Sequence, residues 1–140
     1  MADMVFNNFK KNIMNGNIDL DTDTIKVMLV TLSYSPNQDT HEFMSSVTNE
    51  VTGTGYTAGG QALASKAVTV DTTDDEGVFD AADITWSTST ITARAAVLYK
   101  DTGASTTSPL ICYFDFGSDK SSSAGNFTIS WNSEGIVNLN

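Results

Sequence analysis

The chain has 140 residues, seventeen acidic and seven basic, for a net charge of −10. That length suits one domain burying about two-thirds of the surface its unfolded form exposes, and the charge argues against direct contact with nucleic acid while favouring a basic partner surface. No run approaches the roughly 18–20 apolar residues of a membrane span, and the first residues lack a signal peptide's ordered blocks, so a soluble chain made in the cytoplasm, with no membrane partner, is expected.

Residues 1–16 read as a short helical segment. Val5, Phe6, Phe9 and Ile13 recur at helical spacing, Asn7, Asn8, Lys10, Lys11 and Asn12 face outward, Asp3 is available as N-cap and Gly16 as the stop. Lys10 and Lys11 lie toward the C-terminal end, where they complement the helix dipole. Thr24 to Leu32 is a β-branched strand apolar on both faces, expected in the middle of a sheet. Past Pro36, Asp39-Thr40-His41-Glu42 has the form of an N-cap with an acidic residue three positions later, which predicts a second short helix from Thr40 to about Val47.

Thr52 to Gly60 contains four glycines and reads as an ordered loop or a bulged, weak strand. Gln61 to Asp71 alternates as a strand, and a turn follows at Thr72 to Gly77. Val78 to Ala82 leads into Ile84-Thr85-Trp86-Ser87, and Ser87 to Thr90 is expected to make a hairpin with Ile91 to Tyr99. That last run alternates, with Ile91, Ala93, Ala95, Val97 and Tyr99 on one face and Thr92, Arg94, Ala96 and Leu98 on the other. Pro109 opens Leu110 to Phe116, Asn126 to Trp131 alternates without a break, and Ile136 to Leu139 is long enough to pair. Short strands at this spacing predict a mainly β, antiparallel β-sandwich or jelly-roll-like domain over residues 1–140, with one or two short helices, one near the N-terminus.

The motifs that carry chemistry are incomplete. Asp19 to Asp23 resembles the opening of a calcium loop, but Thr24 and Val30 occupy the required glycine and glutamate positions. The acidic residues of Asp19 to Asp23 read as solvated turn formers; Asp71, Asp74, Asp75 and Glu76 form a denser cluster that backbone carbonyls could complete as a weak cation site, and no metal is assigned to either. His41 is the only histidine, so a serine nucleophile has one possible base and no Gly-x-Ser-x-Gly elbow to sit on. Gly53 to Gly59 is one residue too long for a dinucleotide fingerprint, and no lysine follows it as in a P-loop, so no cofactor is expected; a bulge or an intersubunit contact is the better reading. Asn126-Phe127-Thr128 matches a glycosylation acceptor by chance. Cys112, the single cysteine, lies in an apolar run and reads as a core residue. Trp86, Trp131, Tyr99, Tyr113, Phe114 and Phe116 read mainly as core, with one aromatic face free to form an interface or a carbohydrate platform.

In order along the chain, Gly53-Thr54-Gly55-Tyr56-Thr57-Ala58-Gly59-Gly60, Val78 to Trp86, Thr92 to Tyr99, Pro109 to Gly117 and Phe127-Thr128-Ile129-Ser130-Trp131 to Ile136 resemble small virion proteins of tailed bacteriophages. The resemblance spans most of residues 2–139. It implies a non-enzymatic virion component, a head decoration or cement protein on the capsid surface whose partners are the major capsid protein and copies of itself. No catalytic residue carries over. On this reading the chain is a homo-oligomer such as a trimer, the segment Met1 to Gly16 makes capsid or intersubunit contacts, and Phe6, Phe9, Lys10 and Tyr56 are the candidate interface residues. A neck, tail or fibre component, or a carbohydrate-binding β-sandwich, is the alternative.

Overall fold

A computed structural model describes residues 1–140. The chain is mainly β, in antiparallel sheets with one helix near the N-terminus, and its architecture is sandwich-like. The strands are β1 (Met4–Val5), β2 (Ile25–Val30), β3 (Gln61–Ala62), β4 (Ala67–Asp71), β5 (Glu76–Asp80), β6 (Ile84–Ser89), β7 (Thr92–Lys100), β8 (Leu110–Ser121), β9 (Gly125–Ile129) and β10 (Val137–Leu139), with α1 spanning Asn7–Met14. A five-stranded sheet runs β1-β8-β7-β2-β3, a three-stranded sheet β10-β5-β4, and β6 pairs with β9 alone.

The five-stranded sheet is buried on both faces. On one, Ile25, Val27, Leu29, Ala96, Leu98 and Cys112 meet Phe79 and Val137 of the three-stranded sheet and Trp86 and Phe127 of the β6-β9 pair. On the other, Met28, Val30, Ala95, Val97 and Tyr99 pack under Phe6, Tyr34, Met44 and Val47. The expected central position of the Thr24–Leu32 strand follows from this double burial: β2 lies between β7 and β3.

Five local expectations are corrected. The helix begins only at Asn7, after β1, and Asp3 is not its cap; the Asp3 carboxylate accepts the Asp115 N–H at 2.8 Å, and Phe6 is the N-cap, without a side-chain hydrogen bond. The second helix is reduced to a 3-10 turn at Met44–Ser46. There the Asn37 side chain accepts the N–H groups of Asp39 and Thr40, and the N–H groups of Met44 and Ser45 donate to Ser108 and Ser105, so donors a helix would use are already committed. Gln61 to Asp71 is not one strand but two, β3 and β4, in different sheets, divided at Ser65 in the left-handed conformation (φ 54).

The Ile84–Tyr99 hairpin is likewise absent, because β6 pairs with β9 whereas β7 lies between β2 and β8. Ser89, fully buried, makes the transfer between sheets: its hydroxyl bonds the carbonyls of Trp86 and Gly125, both at 3.0 Å, and the Ser122 hydroxyl at 2.7 Å. The alternation through β7 also changes phase. Ile91, Ala93, Ala96 and Leu98 share one core while Ala95, Val97 and Tyr99 share the other, because β7 and β8 slip register between Ala93 and Ala95.

Candidate interaction surface

The β4-β5 hairpin is made by its turn. Asp71 pairs with Glu76 across the four residues Thr72 to Asp75, and the Asp71 carboxylate accepts the N–H groups of Thr73 (2.8 Å) and Asp74 (3.3 Å). The acidic cluster read from the sequence is therefore partly turn chemistry. β10 joins the other side of β5, with Val137 opposite Phe79 and Leu139 opposite Gly77.

Directly opposed residues point to the same face of an antiparallel sheet, which sorts the two surfaces. One face carries Val68, Phe79 and Val137 in one row and Val70, Gly77 and Leu139 in the next. Phe79 and Val137 are buried, but Val68 is 53% exposed, Val70 77% and Leu139 43%. The apolar face thus runs past the end of the core into solvent. Isolated exposed apolar side chains are ordinary; here three share one face of one sheet, Val68 and Val70 on β4 and, across Gly77, Leu139 on β10. A groove of about 350 Å³ lies here, with Val70, Gly77 and Leu139 in its wall.

The other face carries Ala67, Thr69 and Asp71 on β4, Glu76, Val78 and Asp80 on β5 and Asn138 on β10. Its groove, about 470 Å³, is bordered by Thr69, Asp71, Asp80 and Glu134. None of Asp71, Asp74, Asp75, Glu76, Asp80 and Glu134 takes part in an ion pair; the four in the molecule are Lys11–Glu42, Lys26–Asp101, Arg94–Asp115 and Lys100–Asp23. Lys66, just before β4, directs its ammonium to the Asp23 carbonyl instead. This end of the molecule therefore carries six of the thirteen carboxylates that have no ion-pair partner.

β4 is also an uncovered edge, paired only with β5. The edge of β2 is treated differently. Beyond the short β3, the Val51 N–H donates to Leu29 O, the Thr31 N–H donates to Asn49 O, and the glycine-rich loop closes over what remains. β4 has no such cover, and neither proline nor lysine within it blunts pairing.

The residues chosen from the sequence are not brought together. Phe6 and Phe9 are 0% exposed and belong to the two cores, so they present no surface to a partner, which corrects their assignment to an interface. Lys10 is exposed, its ammonium donating to the Asn7 side chain at 3.1 Å. Tyr56 is half-buried and committed internally. It accepts the Leu29 N–H at 2.9 Å and donates to the Glu50 carboxylate at 2.8 Å; that carboxylate also accepts the Gly59 N–H at 2.6 Å. Burial pushes the Tyr56 phenol far above its ordinary pKa, more than the Leu29 hydrogen bond lowers it. The glycine-rich segment is a structural strap across β2.

Among the aromatics, Trp86 and Tyr99 are core, whereas Tyr113, Phe114, Phe116 and Trp131 are half-buried, with Phe114 against Trp131 at 5.3 Å between centroids. Cys112 is fully buried, and burial raises its thiol well above the usual range. The residues that sequence reasoning passed over are Val68, Val70 and Leu139. Their signal was the alternation of Val68-Thr69-Val70 beside an acidic turn, but edge position is a property of sheet order and is not written in that string. No family model, curated protein or solved structure matches the chain.

Proposed function

We propose that the chain is a structural binding protein of a tailed-bacteriophage virion, a head decoration or cement protein that attaches to the assembled capsid and acts without catalysis. The observation that carries the binding part is the open end of the β4-β5-β10 sheet, where Val68, Val70 and Leu139 continue the core's apolar face into solvent beside unpaired carboxylates. The virion part rests on the motif resemblance over most of residues 2–139. The two fit together physically. A small acidic domain with one open apolar face suits repeated docking on a basic lattice, and binding to the assembled form alone stabilises that form by mass action.

The surface assignment moves the expected partner contact from the Met1–Gly16 segment to the opposite part of the sequence. Residues Phe6 and Phe9 fasten that segment to the domain, and what it offers outward is Lys10, Lys11 and the exposed side chains of Met1 and Met14. Quantitative mass spectrometry of purified virions tests the proposal. Hundreds of copies per particle, removable without loss of the head, are expected; about a dozen copies would indicate a neck or tail ring. Absence from the particle overturns the virion assignment.

A further inference from the structure

We propose that the free edge of β4 receives an extended segment of a partner protein by strand addition, and that the segment alternates apolar with basic side chains. This rests on the binding role proposed above and adds the mode of contact and the chemistry of the partner. The edge supplies the backbone donors and acceptors, since Ala67–Asp71 is paired on one side only. Side chains of an added strand alternate between the two faces of the sheet, and here one face adds the exposed Val68, Val70 and Leu139 while the other adds Asp71, Asp80 and Glu134.

On the core-side face an incoming residue meets Val68, Val70 and a groove walled by Gly77 and Leu139, where an aliphatic side chain removes apolar surface from water; Asp71, Asp75 and Glu76 line the turn end of that groove. On the opposite face it meets Thr69 and the groove bordered by Asp71, Asp80 and Glu134, where no cation is present and a lysine or arginine is attracted. The alternation of the partner follows from the alternation of the site.

A second copy of this chain is a poorer occupant. Antiparallel pairing of β4 with itself about Thr69 would set Val68 opposite Val70, which is favourable, but would also join two acidic faces edge to edge without a cation on either. Nor does this chain hold a suitable segment of its own. Lys26, Arg94 and Lys100 are in interior strands with carboxylate partners, Lys120 is in β8 opposite Ala93, Lys66 directs its ammonium to the Asp23 carbonyl, and Lys10 and Lys11 lie in α1.

The test uses the full-length protein and a capped peptide about eight residues long that alternates lysine with valine, the length of an ordinary strand. Two controls have the same length: one places the lysines and valines in separate blocks, the other replaces lysine with glutamate. Expected are binding of the alternating basic peptide at least about tenfold tighter than either control, slowed amide exchange confined to β4, and weakening with salt. Val70→Lys, at a position already 77% exposed, should reduce affinity at least about tenfold with the fold retained by circular dichroism. Asp71→Asn with Asp80→Asn should remove most of the salt dependence.

Equal binding of the block peptide, protection outside β4, or unchanged affinity in Val70→Lys would overturn the inference. So would a dimer in sedimentation that Val70→Lys dissociates, because the second copy would then be the occupant. The two proposals fail separately. A chain that binds the peptide but is missing from virions loses only its virion assignment, and a virion protein that ignores the peptide loses only the strand-addition mode.

Discussion

Tyr56 is a half-buried hydrogen-bond junction, and its value depends on what its removal leaves unpaired. Phenylalanine fills the same space but abandons the Leu29 N–H, partly sheltered from water, and takes one of two donors from the Glu50 oxygen, which keeps the Gly59 N–H. Leaving buried polar groups unsatisfied costs about 1–3 kcal/mol, so Tyr56→Phe should lower stability by about 2 kcal/mol in urea titration while leaving the secondary structure unchanged. The adjoining Gly60 sets a harsher limit. It sits at φ +76, and a Cβ there would lie 1.8 Å from the Val27 carbonyl oxygen, a backbone atom of an interior strand that has no room to move. Gly117 has a similar φ of +78 but nothing within 4 Å of the added carbon. Gly117→Ala should therefore cost about 1–2 kcal/mol, the ordinary left-handed penalty. Gly60→Ala should cost on the order of 4 kcal/mol or more, and thermal unfolding of the two variants separates conformational strain from steric exclusion. The glycine-rich motif was legible as ordered backbone because four glycines in nine residues need positive φ or close approach. That its tyrosine turns inward depends on β2 running beneath it, which only the fold supplies.

The strands themselves were legible where burial follows one period and illegible where it changes. β2, with both faces apolar, announced a central place in a sheet, and β9 alternated cleanly. In β7 the period of two was correctly seen and wrongly extended past the point where five residues of β8, Phe116 to Lys120, stand against Arg94 and Ala93 where regular pairing would allot two. That bulge is held by a single carboxylate. Asp115 accepts the Arg94 guanidinium at 2.9 Å and the Gly117 N–H at 2.8 Å, so one side chain fixes both strands at the slip. Asp115→Ala should free the bulge. Amide exchange is expected to accelerate over Phe116–Lys120 and to stay unchanged in β2, while global stability falls by no more than about 1 kcal/mol because the pair is exposed. The same reasoning explains the missed hairpin after β6: Ser87 to Thr90 has turn-forming residues, yet the buried Ser89 hydroxyl bonds Gly125 of β9 and Ser122 just past β8, long-range events that no local pattern encodes.

At the scale of the whole molecule, proton linkage is divided between carboxylates held by hydrogen bonds and phenols held by burial. The Gly103 N–H and the Lys26 ammonium hold Asp101 below the usual carboxylate range, and the Arg94 guanidinium and the Gly117 N–H do the same for Asp115. Since unfolded aspartate titrates near pH ~3.9, the unfolded chain binds more protons than the folded one below that value. Stability contributed by these groups is present above about pH 4 and is lost as pH falls through their folded values. The alkaline side has the opposite sign. Burial, with a smaller contribution from Tyr113, pushes Tyr34 up to about 12, and burial raises Tyr56 and Tyr99 further. Their contribution is complete below the unfolded tyrosine value of about 10, and above it the unfolded chain gains by ionising phenols that the folded chain keeps neutral. The urea midpoint should therefore form a plateau through neutral pH and decline at both ends. Asp101→Asn with Asp115→Asn should flatten the acid limb and leave the alkaline one intact. On raising the pH, the tyrosinate absorbance of Tyr34, Tyr56 and Tyr99 should appear together with the loss of far-ultraviolet β signal. Full ionisation of all four tyrosines before that loss would mean that the strap over β2 and the packing around Tyr99 open independently of the core.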